Sequence, residues 1–72
     1  MIKVGDKVWV NLPPFPRVRA IVYIVRKDNS ISAAIPVKDI PASLAKQYFV
    51  RDGHIPIILL PGEYEPEIKG VF

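Results

Sequence analysis

There is no cysteine in these 72 residues. That excludes a disulfide framework, a thiolate metal site and a cysteine nucleophile in one step. Histidine occurs once, as His54, too few for a structural zinc site. The four glycines build no phosphate-cradling loop, and no His-Glu-x-x-His stretch is present. Long apolar runs are missing too. The longest, IPIILLP from Ile55 to Pro61, is far too short to cross a bilayer and is broken by prolines. At the start of the chain Lys3, Asp6 and Lys7 stand where a signal peptide needs its apolar stretch. The expectation is a cytoplasmic protein with no membrane contact, no metal and no cofactor. It is also expected not to be an enzyme. A general base needs a nucleophile and an orienting partner, and His54, alone beside RDG, reads instead as an exposed or capping side chain.

What is abundant is apolar surface: half of the residues are hydrophobic. A chain of 72 residues forms a single domain at most, 1–72, and buries only about 60% of its unfolded surface. Small scaffolds compensate with disulfides, metals or partner subunits, and the first two routes are closed here. A homo-oligomer or a protein partner is therefore expected. Charge is uneven. Residues 1–52 hold nine basic and four acidic side chains, a net of +5. Residues 53–72 set Lys69 against Glu63, Glu65 and Glu67, a net of −2. Residues 62–72 read as an acidic C-terminal extension.

Periodicity supplies the elements. In VGDKVWVNLPP, Val8, Val10 and Leu12 alternate with Lys7, Trp9 and Asn11, which predicts a strand over about Asp6 to Leu12 with the only tryptophan turned away from the aliphatic face. PPFP, Pro13 to Pro16, predicts an extended, non-pairing loop. RVRAIVYIVR, Arg17 to Arg26, is a second strand, and KDNS, Lys27 to Ser30, a turn. ISAAIPV is a third strand with Ile31, Ala33, Ile35 and Val37 on one face, and Pro36 suggests that it lies at a sheet edge. Ile40, Leu44 and Tyr48, with Ala45 and Phe49 repeating the spacing, predict a short amphipathic helix opened by Pro41 and ended by Arg51–Gly53. HIPIILLP is a strand, PG and EYEP turn the chain, and EIKGVF forms a last short strand. The predicted core contains Val8, Val10, Val18, Val22, Ile31, Ile35 and Leu44.

GDKVWV, Gly5 to Val10, resembles the opening strand of the SH3-like small barrels, in particular the Tudor, PWWP and chromo-barrel group and the C-terminal domain of retroviral integrases. The later strand–turn–strand and the helical turn before the last strands suit that architecture. The resemblance implies a mainly β fold, a five-stranded SH3-like barrel with one short helix. It leaves function open, since small barrels carry many unrelated roles. The chromatin readers build a cage of several aromatic rings, and beside Trp9 only Phe15 and Tyr23 are placed to join one here. PASLAKQYF is also longer than the usual single 3-10 turn.

The candidate binding face gathers Lys7, Trp9, Phe15, Arg17, Arg19, Ile21, Tyr23, Arg26 and Lys27. Arginines grip phosphates while aromatic rings stack on bases, the footprint of a nucleic-acid-binding barrel. Ile21 and Val25 in the same row suit a protein interface better. A third arrangement lays the arginine stems over Trp9 and Tyr23 as a lid. The expectation is a non-catalytic interaction or assembly module, self-associating or partner-binding, with nucleic-acid binding through the same face as the alternative. An accessory subunit that shapes a partner enzyme is not distinguishable from the first by sequence. PPFP as a polyproline ligand is the lesser reading of that loop. Trp9 is expected to be partly covered, either by Tyr64, Ile68 and Phe72 or by a neighbouring subunit.

Overall fold

Strict alternation builds the first strand. In β1 (Lys7–Val10), Val8 and Val10 are buried while Lys7 and Trp9 turn outward. The computed structural model describes residues 2–67. Within them β1 is joined by β2 (Arg19–Val25), β3 (Ile31–Pro36), β4 (His54–Leu59) and β5 (Tyr64–Pro66). All pairings are antiparallel, in the order β4-β3-β2-β1-β5. The fold is mainly β, with a 3-10 turn at Val37–Asp39 and a single α-helical turn, α1 (Ala42–Ala45), between β3 and β4.

The sheet is not closed into a barrel, contrary to the sequence expectation. β4 and β5 are its two edges. Part of the β4 edge that faces away from β3 is already engaged. Arg51 and His54 exchange backbone hydrogen bonds of 2.8 and 3.0 Å, the Leu60 N–H donates to Glu63 Oε1 at 2.8 Å, and Pro56 has no N–H. No unbroken row of donors is left for β5 to meet, and three residues with a proline make β5 a poor closing strand. A side chain spans the gap instead: the Tyr64 hydroxyl donates to the Asn29 carbonyl, 35 residues away, at 2.6 Å.

Several local expectations are revised. Pro36 is not at a sheet edge; β3 lies between β2 and β4, and Pro36 ends the strand beyond its last β2 partner, Ala34 with Ile21. PPFP is a turn, not an extended loop. The Phe15 N–H donates to the Leu12 carbonyl at 3.0 Å, and the ring enters the core against Tyr48 at 4.9 Å between centroids. The helix is one turn long. After Ala45 the amides of Gln47 and Tyr48 bond three residues back rather than four, which tightens the spiral. Ile40, Leu44 and Tyr48 still pack on the core, but Phe49 is carried off it, 69% exposed. EYEP does not turn the chain; Tyr64–Pro66 is the last strand, so part of the acidic extension belongs to the sheet. The strand expected over EIKGVF falls, after Glu67, outside the described residues.

The core lies on the concave face: Val8 and Val10, Ala20 and Val22, Ile31, Ala33 and Ile35, Ile55 and Leu59, closed below by Phe15, Val18 and Ile40. Of the seven residues predicted inside, six are buried, and Leu44 packs against the cluster half-exposed. Val10 is 2% exposed. Val10→Asp should unfold the domain, because a buried unpaired carboxylate costs more than the ~5 kcal/mol a domain of this size typically holds. Circular dichroism should show the loss, and an unchanged melting temperature would refute the inward register of β1.

The β2–β3 hairpin turns where Lys27–Ser30 predicts. Asn29 takes φ 70°, and Asp28 Oδ1 accepts bonds from the Ser30 hydroxyl at 2.7 Å and the Ser30 N–H at 2.9 Å. Those bonds, the hydroxyl's first, hold the Asp28 carboxyl below its ordinary value of 3.8. A depressed carboxylate pKa stabilises the fold above the unfolded value, and that contribution is lost as the pH falls through the folded one. The stability difference between the wild-type chain and Asp28→Ala should therefore be largest near neutral pH. It should shrink as the pH drops below 3.8 in acid denaturation curves.

Candidate interaction face around Trp9

The outer face of the sheet begins at Trp9, and register decides its neighbours. Trp9 lies opposite Arg19 on β2 and opposite Glu65 on β5. The guanidinium carbons of Arg17 and Arg19 sit 4.7 and 5.0 Å from the centre of the indole. Each arginine in turn meets a carboxylate of the C-terminal segment. Arg19 Nε is 2.9 Å from Glu67 Oε2, and Arg17 Nη1 is 3.5 Å from Glu65 Oε2. Trp9 is therefore half-buried under a lid of its own arginines, held down by glutamates from the far end of the chain. The expected cover by Tyr64 is corrected: Tyr64 pairs with Val10, packs against the core and bonds Asn29. Ile68 and Phe72 lie outside the described residues.

Geometry ranks the two ion pairs. Arg17 and Glu65 are both more than half exposed, and such pairs contribute about 0.2–1 kcal/mol. The Glu67 side chain is only 11% exposed, so its shorter contact with Arg19 is better shielded from water and salt.

A β-bulge reshapes the rest of the face. Between Val22 and Ile24 the β2–β3 register shifts: Val22 pairs with Ala33, but Ile24 pairs with Ser32 and Val25 with Ile31. One extra residue, Tyr23, is accommodated on β2. Tyr23 and Ile24 consequently both emerge on the outer face, 44% and 42% exposed, and Val25 returns to the register of buried Ile31. Val25 is nonetheless exposed, as alternation predicts. Across the sheet, Ile21, Ala34 and Pro56 form one row, and Ile24, Ser32 and Ile58 form the next. A shallow concavity of about 370 Å³ lies among Ile21, Tyr23, Ala34, His54 and Pro56, with Arg51 and Asp52 at its rim. Ile58 is 61% exposed.

Arg26 lies over this apolar half. Its Nη2 donates to Ser32 Oγ at 2.6 Å, which satisfies a serine that is 3% exposed. Its Nη1 is buried and has no hydrogen-bond partner among the described residues. Lys7 stands on the face beside Ile21, and Lys27 is exposed in the hairpin turn. Phe15 does not belong to the face; it is core, because the turn at Pro13–Phe15 points its ring inward. The structure thus brings together Lys7, Trp9, Arg17, Arg19, Ile21 and Tyr23, and adds Ile24, Pro56 and Ile58. Ile24 was masked by the bulge, while the apolar two-sidedness of HIPIILL was the available signal for Ile58.

His54 Nδ1 lies 2.9 Å from the Asp52 carbonyl oxygen, the position of a turn cap. Among the described residues no group of three His, Cys, Asp or Glu side chains is placed to hold a metal ion. In comparisons with family models, curated proteins and solved structures, nothing matches this chain.

The lid makes a direct optical prediction. Arg17→Ala with Arg19→Ala should uncover the indole and move Trp9 emission toward that of an exposed tryptophan, at little cost to the melting temperature. An emission maximum unmoved by the double substitution would show that the arginines do not cover Trp9.

Proposed function

We propose that this chain is a non-catalytic interaction module that assembles with a second copy of itself through the apolar half of its outer face. The observation that carries the reading is the patch produced by the bulge, in which Ile21, Tyr23, Ile24, Pro56 and Ile58 stand together without cover. A sheet face this apolar has a strong driving force to leave water, at about 25 cal/mol per Å² removed. Face-to-face packing is favoured over edge pairing, because Pro56, the Arg51–His54 bridge and the Glu63 cap leave little of the β4 edge available. A twofold contact of this kind uses the same patch on both copies.

The rival reading, a nucleic-acid-binding barrel, draws less support. Arg17 and Arg19 lie against Glu65 and Glu67, and the Trp9 ring is already stacked by guanidinium groups. Phosphate contact needs cations with counterions to release, and base stacking needs an accessible ring.

Light scattering and sedimentation should return a dimer at micromolar concentration. Ile58→Lys changes a side chain that the fold does not bury, so it should keep the circular dichroism spectrum and weaken association at least tenfold, or about 1.4 kcal/mol. A monomer mass across the whole concentration range would sink self-association. Submicromolar, salt-sensitive oligonucleotide binding that is lost in Arg17→Ala with Arg19→Ala would promote the rival.

A further inference from the structure

The other half of the outer face carries a second, independent site, whatever the oligomeric state proves to be. We infer that the edge of β1 beside Arg17, Trp9 and Arg19 is a docking site for an extended acidic peptide with two glutamates two residues apart, and that the chain's own β5 occupies it in cis. The structure shows this strand in place. β5 adds to β1 as an antiparallel strand, pairing Pro66 with Val8, Glu65 with Trp9 and Tyr64 with Val10. The amides of Asn11 and Glu67 extend the ladder, donating to the Glu63 and Lys7 carbonyls at 2.8 and 3.2 Å. Main-chain bonds supply the grip in this mode of binding, and side chains at fixed positions supply the choice.

Here the choice is made by charge. Glu65 and Glu67 reach Arg17 and Arg19, whose guanidinium carbons lie 4.7 and 5.0 Å from the centre of the indole. Stacking on a ring leaves the N–H edge of a guanidinium pointing outward, the geometry that matches a carboxylate. The same stacking occupies the indole and disfavours a nucleobase there. The site therefore takes acidic peptide in preference to nucleic acid.

The resident strand is built to be displaced. It is three residues long, Glu65 and Pro66 are exposed, and only Tyr64 reaches the core cluster. It follows a turn at Gly62, whose φ of 93° suits glycine alone, so one short segment both delivers and releases it. A tethered segment competes at a millimolar effective concentration. The site is consequently self-inhibited, open only to a partner whose acidic strand outcompetes β5.

The experiment uses a fluorescently labelled peptide of residues 62–67, GEYEPE, with anisotropy and Trp9 quenching as readouts. In the full chain carrying Glu65→Lys and Glu67→Lys, like charges face Arg17 and Arg19 and the cis strand is expelled. The peptide should bind this variant at least tenfold more tightly than wild type and quench Trp9. A peptide with glutamine at both positions should not bind. Adding Arg17→Glu and Arg19→Glu to that variant restores opposite charges in cis and should exclude the acidic peptide again. If the lysine variant fails to fold, Glu65→Gln with Glu67→Gln retains the uncharged strand and should bind the peptide more tightly than wild type. A folded variant that ignores the peptide, or a wild-type chain that binds it equally well, would overturn the proposal. Tighter binding of a single-stranded oligonucleotide than of the peptide to the lysine variant would overturn the assignment of ligand class.

Discussion

The outer surface of this protein depends on where β1 places one indole. Val8 and Val10 commit one face of a four-residue strand to the core, and period-2 geometry then forces Trp9 outward between β2 and β5. An uncovered indole would waste a large apolar area. The chain resolves this with Arg17 and Arg19, whose guanidinium groups lie near the ring while remaining about half exposed. Glu65 and Glu67 balance their charges from β5. This cluster takes two of the early basic residues and two of the late acidic ones.

With the Trp9 half closed by its own charges, the apolar excess is displaced to the other half. There the bulge at Tyr23 matters most. A regular β2 would send Ile24 inward and Val25 outward at the end of the strand. One extra residue shifts that register, pairs exposed Val25 with Ile31, and joins Ile24 to Ile21, Tyr23 and Ile58 on a single surface. The two halves face the same side but ask for different partners. One is matched to carboxylates on an extended strand, and the other to apolar surface.

Much of this was legible in the sequence, for identifiable reasons. The alternation in β1 and the αL residue in the KDNS turn are local signals that the structure obeys, and the i, i+4, i+8 spacing puts Ile40, Leu44 and Tyr48 on the core although the helix itself is a single turn. Phe15 was misplaced because proline fixes φ without saying which side of a turn the next ring will take. Val25 is exposed, as alternation predicts, but the bulge shifts its register so that it pairs with Ile31, because a bulge leaves the composition of a strand unchanged. β5 was read as a turn because EYEP is short and proline-bearing, and only the carboxylate–arginine contacts across the sheet give it a place. Closure failed for a long-range reason too. Part of the β4 edge that would have sealed to β5 is consumed by Arg51, Pro56 and Glu63, a conflict visible only once the strands are set side by side.

Solvent paramagnetic relaxation in NMR, recorded across a concentration series, tests the division of the face most directly. The Trp9 indole N–H should be shielded from a soluble relaxation agent at every concentration, because its cover comes from the same chain. The side chains of Ile21, Tyr23, Ile24 and Ile58 should be accessible when the protein is dilute and become shielded as it is concentrated. Trp9 relaxing like a free indole at low concentration, or an apolar half that stays accessible throughout, would contradict the account.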